Sequence, residues 1–304
     1  MYDIVIIGAG PAGLTAAIYA RRANRSVLIM DKNAFGGQMT FSPKLENYPG
    51  YELISGTELA DKMVEQVINQ GATVEIENAL EIKNGGKTKT VITEDGKYEC
   101  RAVIIAGGAK HRKLGIENEE KFIGDGISFC AVCDGAFYKN KTVAVIGGGN
   151  SALQEAILLS ETCKKVYLVQ NLDFLTGEKK LEEILRKKEN VEIITGTVVT
   201  KVADTETLSS IHLKKLSDSS EGDLFIDGMF VAIGLEPENE AFSNVAELDK
   251  AGYLDSGEDC LTKTPGIFAA GDCRKKTVRQ ITTAVSDGAA AAVAACRYLD
   301  ELDA

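Results

Sequence analysis

Hydrophobic positions along this chain repeat one pattern twice. Asp3-Ile-Val-Ile-Ile-Gly8 is an unbroken apolar run of the kind that forms a strand buried on both faces of a parallel sheet. It leads into Gly8-Ala-Gly-Pro-Ala-Gly13, then helical spacing from Leu14 to Ala23, then a second apolar run, Val27–Met30, ending on Asp31. Thr142–Ile146, the turn Gly147-Gly-Gly-Asn-Ser-Ala152, a helix over Ser151–Ser160 and the run Val166–Val169 repeat this layout at one constant offset, with Gln170 in the place of Asp31. Further strand-like runs lie at Val103–Ala106, Val191–Ile194, Ser210–Lys214, Gly228–Gly234 and within Thr264–Asp272, and Gly288–Arg297 reads as a helix of small residues. Strands alternating with helices predict the α/β class: two Rossmann-like, three-layer nucleotide-binding domains, one inserted into the other. Gly107-Gly108 and Gly234-x-x-Pro237 are the expected crossings between them. The expected first domain is therefore discontinuous, 1–112 with 243–304, and the expected insert is 113–242.

The two turns carry different chemistry. In the first, the glycines permit a tight turn and close backbone approach, the helix N-terminus faces a pyrophosphate, and the acid accepts from a ribose hydroxyl. A lone glycine pattern is weak, but strand, turn, helix and acid in register make a dinucleotide fingerprint. Gly8, Gly10, Pro11, Ala12, Gly13, Asp31 and the adjoining Lys32 are thus candidate cofactor-binding residues. The second turn lacks the acid, and Gln170-Asn-Leu-Asp-Phe-Leu-Thr176 offers no arginine for a 2′-phosphate. Asp173 would repel such a phosphate, and Lys179 and Lys180 offer only point charges farther along. The second turn has the backbone of a nucleotide site without its specificity residues.

Composition narrows the setting. A chain of 304 residues with 44% hydrophobic content has room for two packed domains. Its net charge of −11 argues against a nucleic-acid partner. No apolar run is long enough to span a bilayer, so no membrane role is expected. The first residues run straight into a strand without a basic, apolar leader pattern, and the expected compartment is the cytoplasm.

Between the two turns lies Ser128-Phe-Cys-Ala-Val-Cys-Asp-Gly135. A C-x-x-C pair serves redox exchange or forms half of a metal site. The other five cysteines are scattered singly and the chain has only two histidines, too few at ligand spacing for zinc or iron–sulfur. Redox exchange by Cys130 and Cys133, coupled to a bound nucleotide cofactor, is the favoured reading, with no metal. Disulfide exchange needs a thiolate to attack and a proton for the leaving thiol, and Asp134 is placed to serve both. An Asp before Gly is otherwise a common turn residue.

Gly8-Ala-Gly-Pro-Ala-Gly13, Gly36-Gly-Gln38, Glu46-Asn-Tyr-Pro-Gly50, Cys130-Ala-Val-Cys-Asp-Gly135, Gly147-Gly-Gly-Asn150, Ala270-Gly-Asp272 and Arg279-Gln280 together resemble the low-molecular-weight, flavin-dependent thioredoxin reductases over nearly the whole chain. The resemblance implies FAD in the first domain, with Gly37, Gln38, Asn47, Gly271, Asp272, Arg279 and Gln280 added to its binding residues and Asp272 on the ribityl chain. It implies that Cys133 faces the flavin, that Cys130 exchanges with thioredoxin, that Asp134 is the acid–base group, and that the chain forms a homodimer.

Members that use NADPH carry a pattern similar to His-Arg-Arg-x-x-x-Arg, where this chain has Gln170, Asn171, Leu172 and Thr176. In that respect the chain resembles a branch, found in anaerobes such as clostridia, that takes electrons from reduced ferredoxin. Two other readings stay open: NADPH or NADH bound through contacts such as Lys179 and Lys180, and a non-catalytic flavin redox sensor. Arg274-Lys-Lys276 with Arg279 is the leading expected docking patch for an acidic ferredoxin, and Lys110-His-Arg-Lys113 the second.

Overall fold

The computed structural model describes residues 1–304 apart from 34, 43 and 204. It divides into two compact units: Met1–Thr40 with Tyr48–Lys110 and Glu236–Ala304, and Phe41–Asn47 with His111–Leu235.

The first unit is built on a sheet in which Thr73–Ile76, Val27–Asp31, Tyr2–Ile7 and Lys97–Ile105 lie side by side in parallel, with Ile267–Ala269 parallel to Lys97–Ile105. Ile4, Val5, Ile6, Leu28, Ile29, Met30, Val103 and Ile104 are fully or almost fully sealed, as their unbroken apolar runs require. The same sheet continues into an antiparallel meander, Ala79–Gly85, Thr88–Thr93 and Lys97–Ile105. Helix Pro11–Arg22 starts at proline, whose fixed φ and missing N–H suit the first helical position. No side chain caps this helix, so its first amides are left for another partner. The closing helix Ile281–Asp303 approaches it closely because Gly288 has no side chain. A Cβ there would stand 2.1 Å from the Ala12 carbonyl oxygen.

The second unit repeats the plan with Val191–Ile194, Lys165–Val169, Thr142–Ile146, Gly228–Val231 and Ile127–Ser128, all parallel. A separate antiparallel sheet, Thr197–Val202, Ser210–Lys215 and Glu221–Phe225, covers one side through Val199, Val202 and Ile211. In both units the glycine turn follows a central strand, flanked by the next strand on one side and a later one on the other. That is the switch point where open α/β sheets bind ligands. Among the described residues no helix is long and apolar enough to cross a membrane.

Candidate active site

The first glycine turn is shaped by sterics. Gly8 has φ +104°, and a Cβ there would lie 2.2 Å from the Ala106 carbonyl oxygen. A Cβ on Gly13 would lie 1.8 Å from the Gly8 carbonyl oxygen, so only glycine lets helix and turn meet. Gly10 ends the turn as the N-cap, followed by Pro11 and the buried Ala12. Gly37, at φ +60°, brings its segment against Gly10, where a Cβ would be 3.2 Å from the Gly10 Cα. Gly271, at φ +79°, closes from the other side onto Ala12. Asp31 Oδ2 accepts from the Ala9 amide at 2.7 Å and Oδ1 from the Asn33 amide at 2.9 Å.

Asp272 supplies the test of cofactor fit. Its Oδ1 is sealed from solvent and has no hydrogen-bond partner. Burial pushes its carboxyl up to about 6, with Lys276 and Arg279 opposing. A buried carboxylate oxygen left without a donor is costly, and a sugar-alcohol hydroxyl is the kind of donor that removes that cost. The turn, the uncapped helix and this orphaned oxygen together fit a dinucleotide such as FAD.

The other expected cofactor residues are placed differently. Lys32 pairs with Glu238, which also holds Lys110 at 2.8 Å. Arg279 stacks its guanidinium 4.2 Å from the Tyr253 ring and donates to the carbonyls of Asp272, Arg274 and Lys276. Gln280 caps the closing helix in a reciprocal box with Thr283. Gln38 is exposed in the turn Gly37–Phe41, and Asn47 is exposed in the second unit.

In the second unit Cys130 and Cys133 form a disulfide across the one-turn helix Ala131–Asp134, with Cα atoms 5.3 Å apart. Cys130 Sγ accepts from the Cys133 amide at 3.2 Å. Ser128 Oγ accepts from the Cys130 amide at 3.1 Å and donates to Asp134 Oδ2 at 2.6 Å. Asp134 Oδ1 is buried and has no partner. Burial raises the Asp134 carboxyl above its ordinary value, against the Ser128 bond. This places a buried carboxyl one residue from the disulfide.

The second glycine turn keeps the backbone of the first. Gly147 has φ +133°, and a Cβ there would be 2.4 Å from the Ala232 carbonyl oxygen. Its surroundings differ. Gln170 is 5% exposed, and its amide occupies the space beside Gly148, 2.4 Å from where a Cβ would stand. Gln170 Oε1 accepts from the Asn171 amide at 3.1 Å. The amides of Thr176 and Gly177 donate to the Gly148 carbonyl at 2.8 and 2.9 Å. Asn150, at the start of the helix, exchanges hydrogen bonds with Glu178. The rim presents Leu172 and Phe174, both exposed, with Asp173 between them.

The expected basic docking patch is corrected. Arg274 is 1% exposed and the Lys276 side chain only 5%, because both turn inward onto Asp287. Only Lys275 of that run faces solvent, near Asp255. In the second candidate, Lys110 pairs with Glu238, Lys113 pairs with Glu120, and His111 stacks on Phe129 at 4.9 Å. Burial lowers His111 to about 4, so it adds no charge near neutrality. Ser128 and Asp287 were not identified from the sequence, since neither stands out until folding brings it to its partners.

The family model for pyridine nucleotide-disulphide oxidoreductases matches residues 2–288. The chain belongs to this family, among the low-molecular-weight thioredoxin reductases. It is 42% identical over 303 residues to a thioredoxin reductase of Listeria innocua, covering 99% of this chain and 95% of that one. It is equally similar, 42% over 298 residues, to a 34.2 kDa protein in the rubredoxin operon of Clostridium pasteurianum, covering 98% of this chain and 97% of that one. The crystal structure of thioredoxin reductase from Streptococcus pyogenes superposes with a TM-score of 0.95 at 41% identity, covering 99% of both chains. Members of this family are oxidoreductases that bind FAD, which agrees with the cradle around Asp272.

Proposed function

We propose that this chain reduces thioredoxin through the Cys130–Cys133 pair, using FAD and electrons from reduced ferredoxin in place of NADPH. One observation carries the choice of donor: Gln170 is buried with its amide folded beside Gly148, in a segment, 170–176, that presents Leu172, Asp173 and Phe174 and holds no Arg or Lys. An amide engaged in its own loop leaves no acid for a ribose hydroxyl, and the segment 170–176 offers no arginine to clamp a 2′-phosphate.

In this reading the discontinuous domain, 1–112 with 243–304, holds FAD at Gly8, Gly10, Pro11, Ala12, Gly13, Asp31 and Asp272. Bound flavin supplies a store that fills one electron at a time and empties as a pair. The inserted domain, 113–242, carries the disulfide. Cys130 exchanges with thioredoxin, Cys133 resolves the mixed disulfide, and Asp134, steadied by Ser128, moves the proton. A ferredoxin near about −400 mV and a thioredoxin near about −270 mV differ by roughly 6 kcal/mol for two electrons, which is ample drive.

The test is an anaerobic titration of the oxidised flavoprotein, following the flavin band near about 450 nm. NADPH, NADH and reduced ferredoxin are added separately, with thioredoxin reduction as the second readout. Bleaching and turnover with ferredoxin alone are expected. Rapid bleaching by NADPH or NADH would refute the donor assignment and point to Lys179 and Lys180, both exposed beside the second turn.

A further inference from the structure

The redox turn packs on a buried carboxyl that the chemistry above does not use. Ala131 lies in one apolar cluster with Ala152 and Ala156 of the helix Asn150–Ser160, whose small side chains let the turn approach. Glu155 sits on that helix beside Ala156, and its carboxyl lies toward the backbone amide of Ala131. Its Oε2 is sealed from solvent without a hydrogen-bond partner, so the carboxyl carries a stranded acceptor.

The ionisable groups carried by the redox turn are the two cysteines and Asp134, and Tyr138 ends the short helix Gly135–Tyr138 that follows it. The helix Lys179–Leu185 turns Leu181 and Leu185 into this cluster, and the neighbouring strands turn Val143, Val145, Val166 and Leu168. Among the described residues no basic side chain forms an ion pair with Glu155. Burial pushes its carboxyl up to about 7, with the Ala131 amide opposing.

We propose that Glu155 is a proton-linked positioning residue of the redox turn: held against the Ala131 amide, its carboxyl keeps the proton that Cys130 releases on becoming a thiolate. The inference rests on the disulfide-reductase reading above. Opening the disulfide takes two electrons and two protons and gives two thiols. A Cys130 thiolate beside an ionised Glu155 would be opposed by it, whereas beside the protonated acid it is not. Attack by Cys130 breaks the partner's S–S bond, forms the mixed disulfide and releases one partner thiolate. Cys133 then reforms the Cys130–Cys133 bond and releases the second. The two protons that complete the partner's dithiol are the one kept at Glu155 and the one from Cys133, passed through Asp134.

The experiment uses the FAD-bound protein reduced with dithiothreitol, which bypasses both donor and thioredoxin, so a wrong donor assignment leaves it unaffected. After the reductant is removed anaerobically, the iodoacetamide alkylation rate of Cys130 is followed against pH by peptide mass spectrometry. The wild-type rate should rise in two steps, the lower near neutrality. Glu155→Gln keeps an oxygen for the Ala131 amide but cannot hold the proton, and should collapse the profile to one step. Its rate at pH 8 should exceed wild type, approaching about tenfold for each pH unit of coupling removed. In Asp134→Asn the lower step should persist. A single-step wild-type profile, a Glu155→Gln profile that superposes on wild type, or a lower step lost in Asp134→Asn but kept in Glu155→Gln would each overturn the proposal. The wild-type and Asp134→Asn profiles decide the matter even if Glu155→Gln does not fold.

Discussion

Asp287 is the perturbation whose cost can be reasoned most directly from the structure. Its Oδ2 accepts from Arg274 Nε at 2.8 Å, Lys276 Nζ at 2.9 Å and the Gly271 amide at 2.9 Å, and its Oδ1 from Arg274 Nη2 at 2.8 Å. All three side chains are at most 5% exposed. Burial alone would raise the Asp287 carboxyl, but the bonds from Arg274 and Lys276 hold it below its ordinary value. Asp287→Asn keeps the shape and removes the charge, leaving a buried ammonium unpaired and a guanidinium with Glu258 as its remaining acidic partner, 3.0 Å away and 90% exposed. Breaking a buried pair from one side costs about 3–5 kcal/mol, and the residual Glu258 contact places the expected loss near the lower end, about 3 kcal/mol. The Gly271 amide also loses its anionic acceptor, and Gly271 is the turn that presents Asp272, so FAD should bind at least about tenfold more weakly. The chain has no tryptophan, so urea unfolding is followed by far-ultraviolet circular dichroism and by flavin fluorescence on release. Lys275→Glu, on the exposed neighbour, is the control and should change stability by less than about 0.5 kcal/mol. A loss below about 1 kcal/mol in Asp287→Asn would refute the buried-pair argument. Unchanged FAD affinity alongside lost stability would refute the link to Asp272.

Two further outcomes follow from the flavin cradle. Asp272 is raised from 3.8 to about 6 in the folded protein, so between those values the folded state binds more protons than the unfolded one. The apoprotein should therefore lose up to about 3 kcal/mol of stability as pH rises through that window. Asp272→Asn should remove this loss, making the apoprotein more stable than wild type at pH 7.5 and no different at pH 4 by urea unfolding, while FAD affinity falls. Equal stability of the two apoproteins at pH 7.5 would contradict the orphaned-oxygen argument. Gly13→Val would drive a side chain into the Gly8 carbonyl at 1.8 Å, and should abolish FAD binding or folding of the first unit, read by flavin content after purification.

The apolar runs were readable where the strand is central and buried on both faces, as in Thr142–Ile146, and the edge strand Val191–Ile194, only partly buried, was readable from its short apolar run. Thr142–Ile146 and Val191–Ile194 occupy the spans that the pattern predicts. The meander Ala79–Gly85 and Thr88–Thr93 was not, because one face meets solvent and polar residues such as Thr88, Lys89 and Thr90 dilute the apolar signal. Lys89 shows the difficulty directly. Its sequence neighbours suggest a solvated strand, yet it is fully buried over the Tyr298 ring. Arg274 and Lys276 misled for the same reason. A run of three basic residues reads as surface, and only the distant Asp287 on the closing helix turns two of them inward. Glu155 and Ser128 could not be singled out, because their significance lies in what burial leaves unpaired or brings within 2.6 Å.

The two glycine turns also show what such a motif can and cannot report. A Cβ at Gly8 would strike the Ala106 carbonyl, and one at Gly147 the Ala232 carbonyl, at nearly the same distance. Both glycines are therefore demanded by the packing of strand against turn, whatever the turn binds. Specificity lies in the side chain that ends the next strand. Asp31 spends its carboxylate on the Ala9 and Asn33 amides and stays half-exposed at the lip, whereas Gln170 lies buried with its amide inside the loop. Glycine spacing alone therefore does not report a pyridine-nucleotide site, because the packing of strand against turn demands the same glycines with or without the ligand. In the reading proposed here the glycines of the second turn serve that packing alone, and NADPH titration separates that account from a working site.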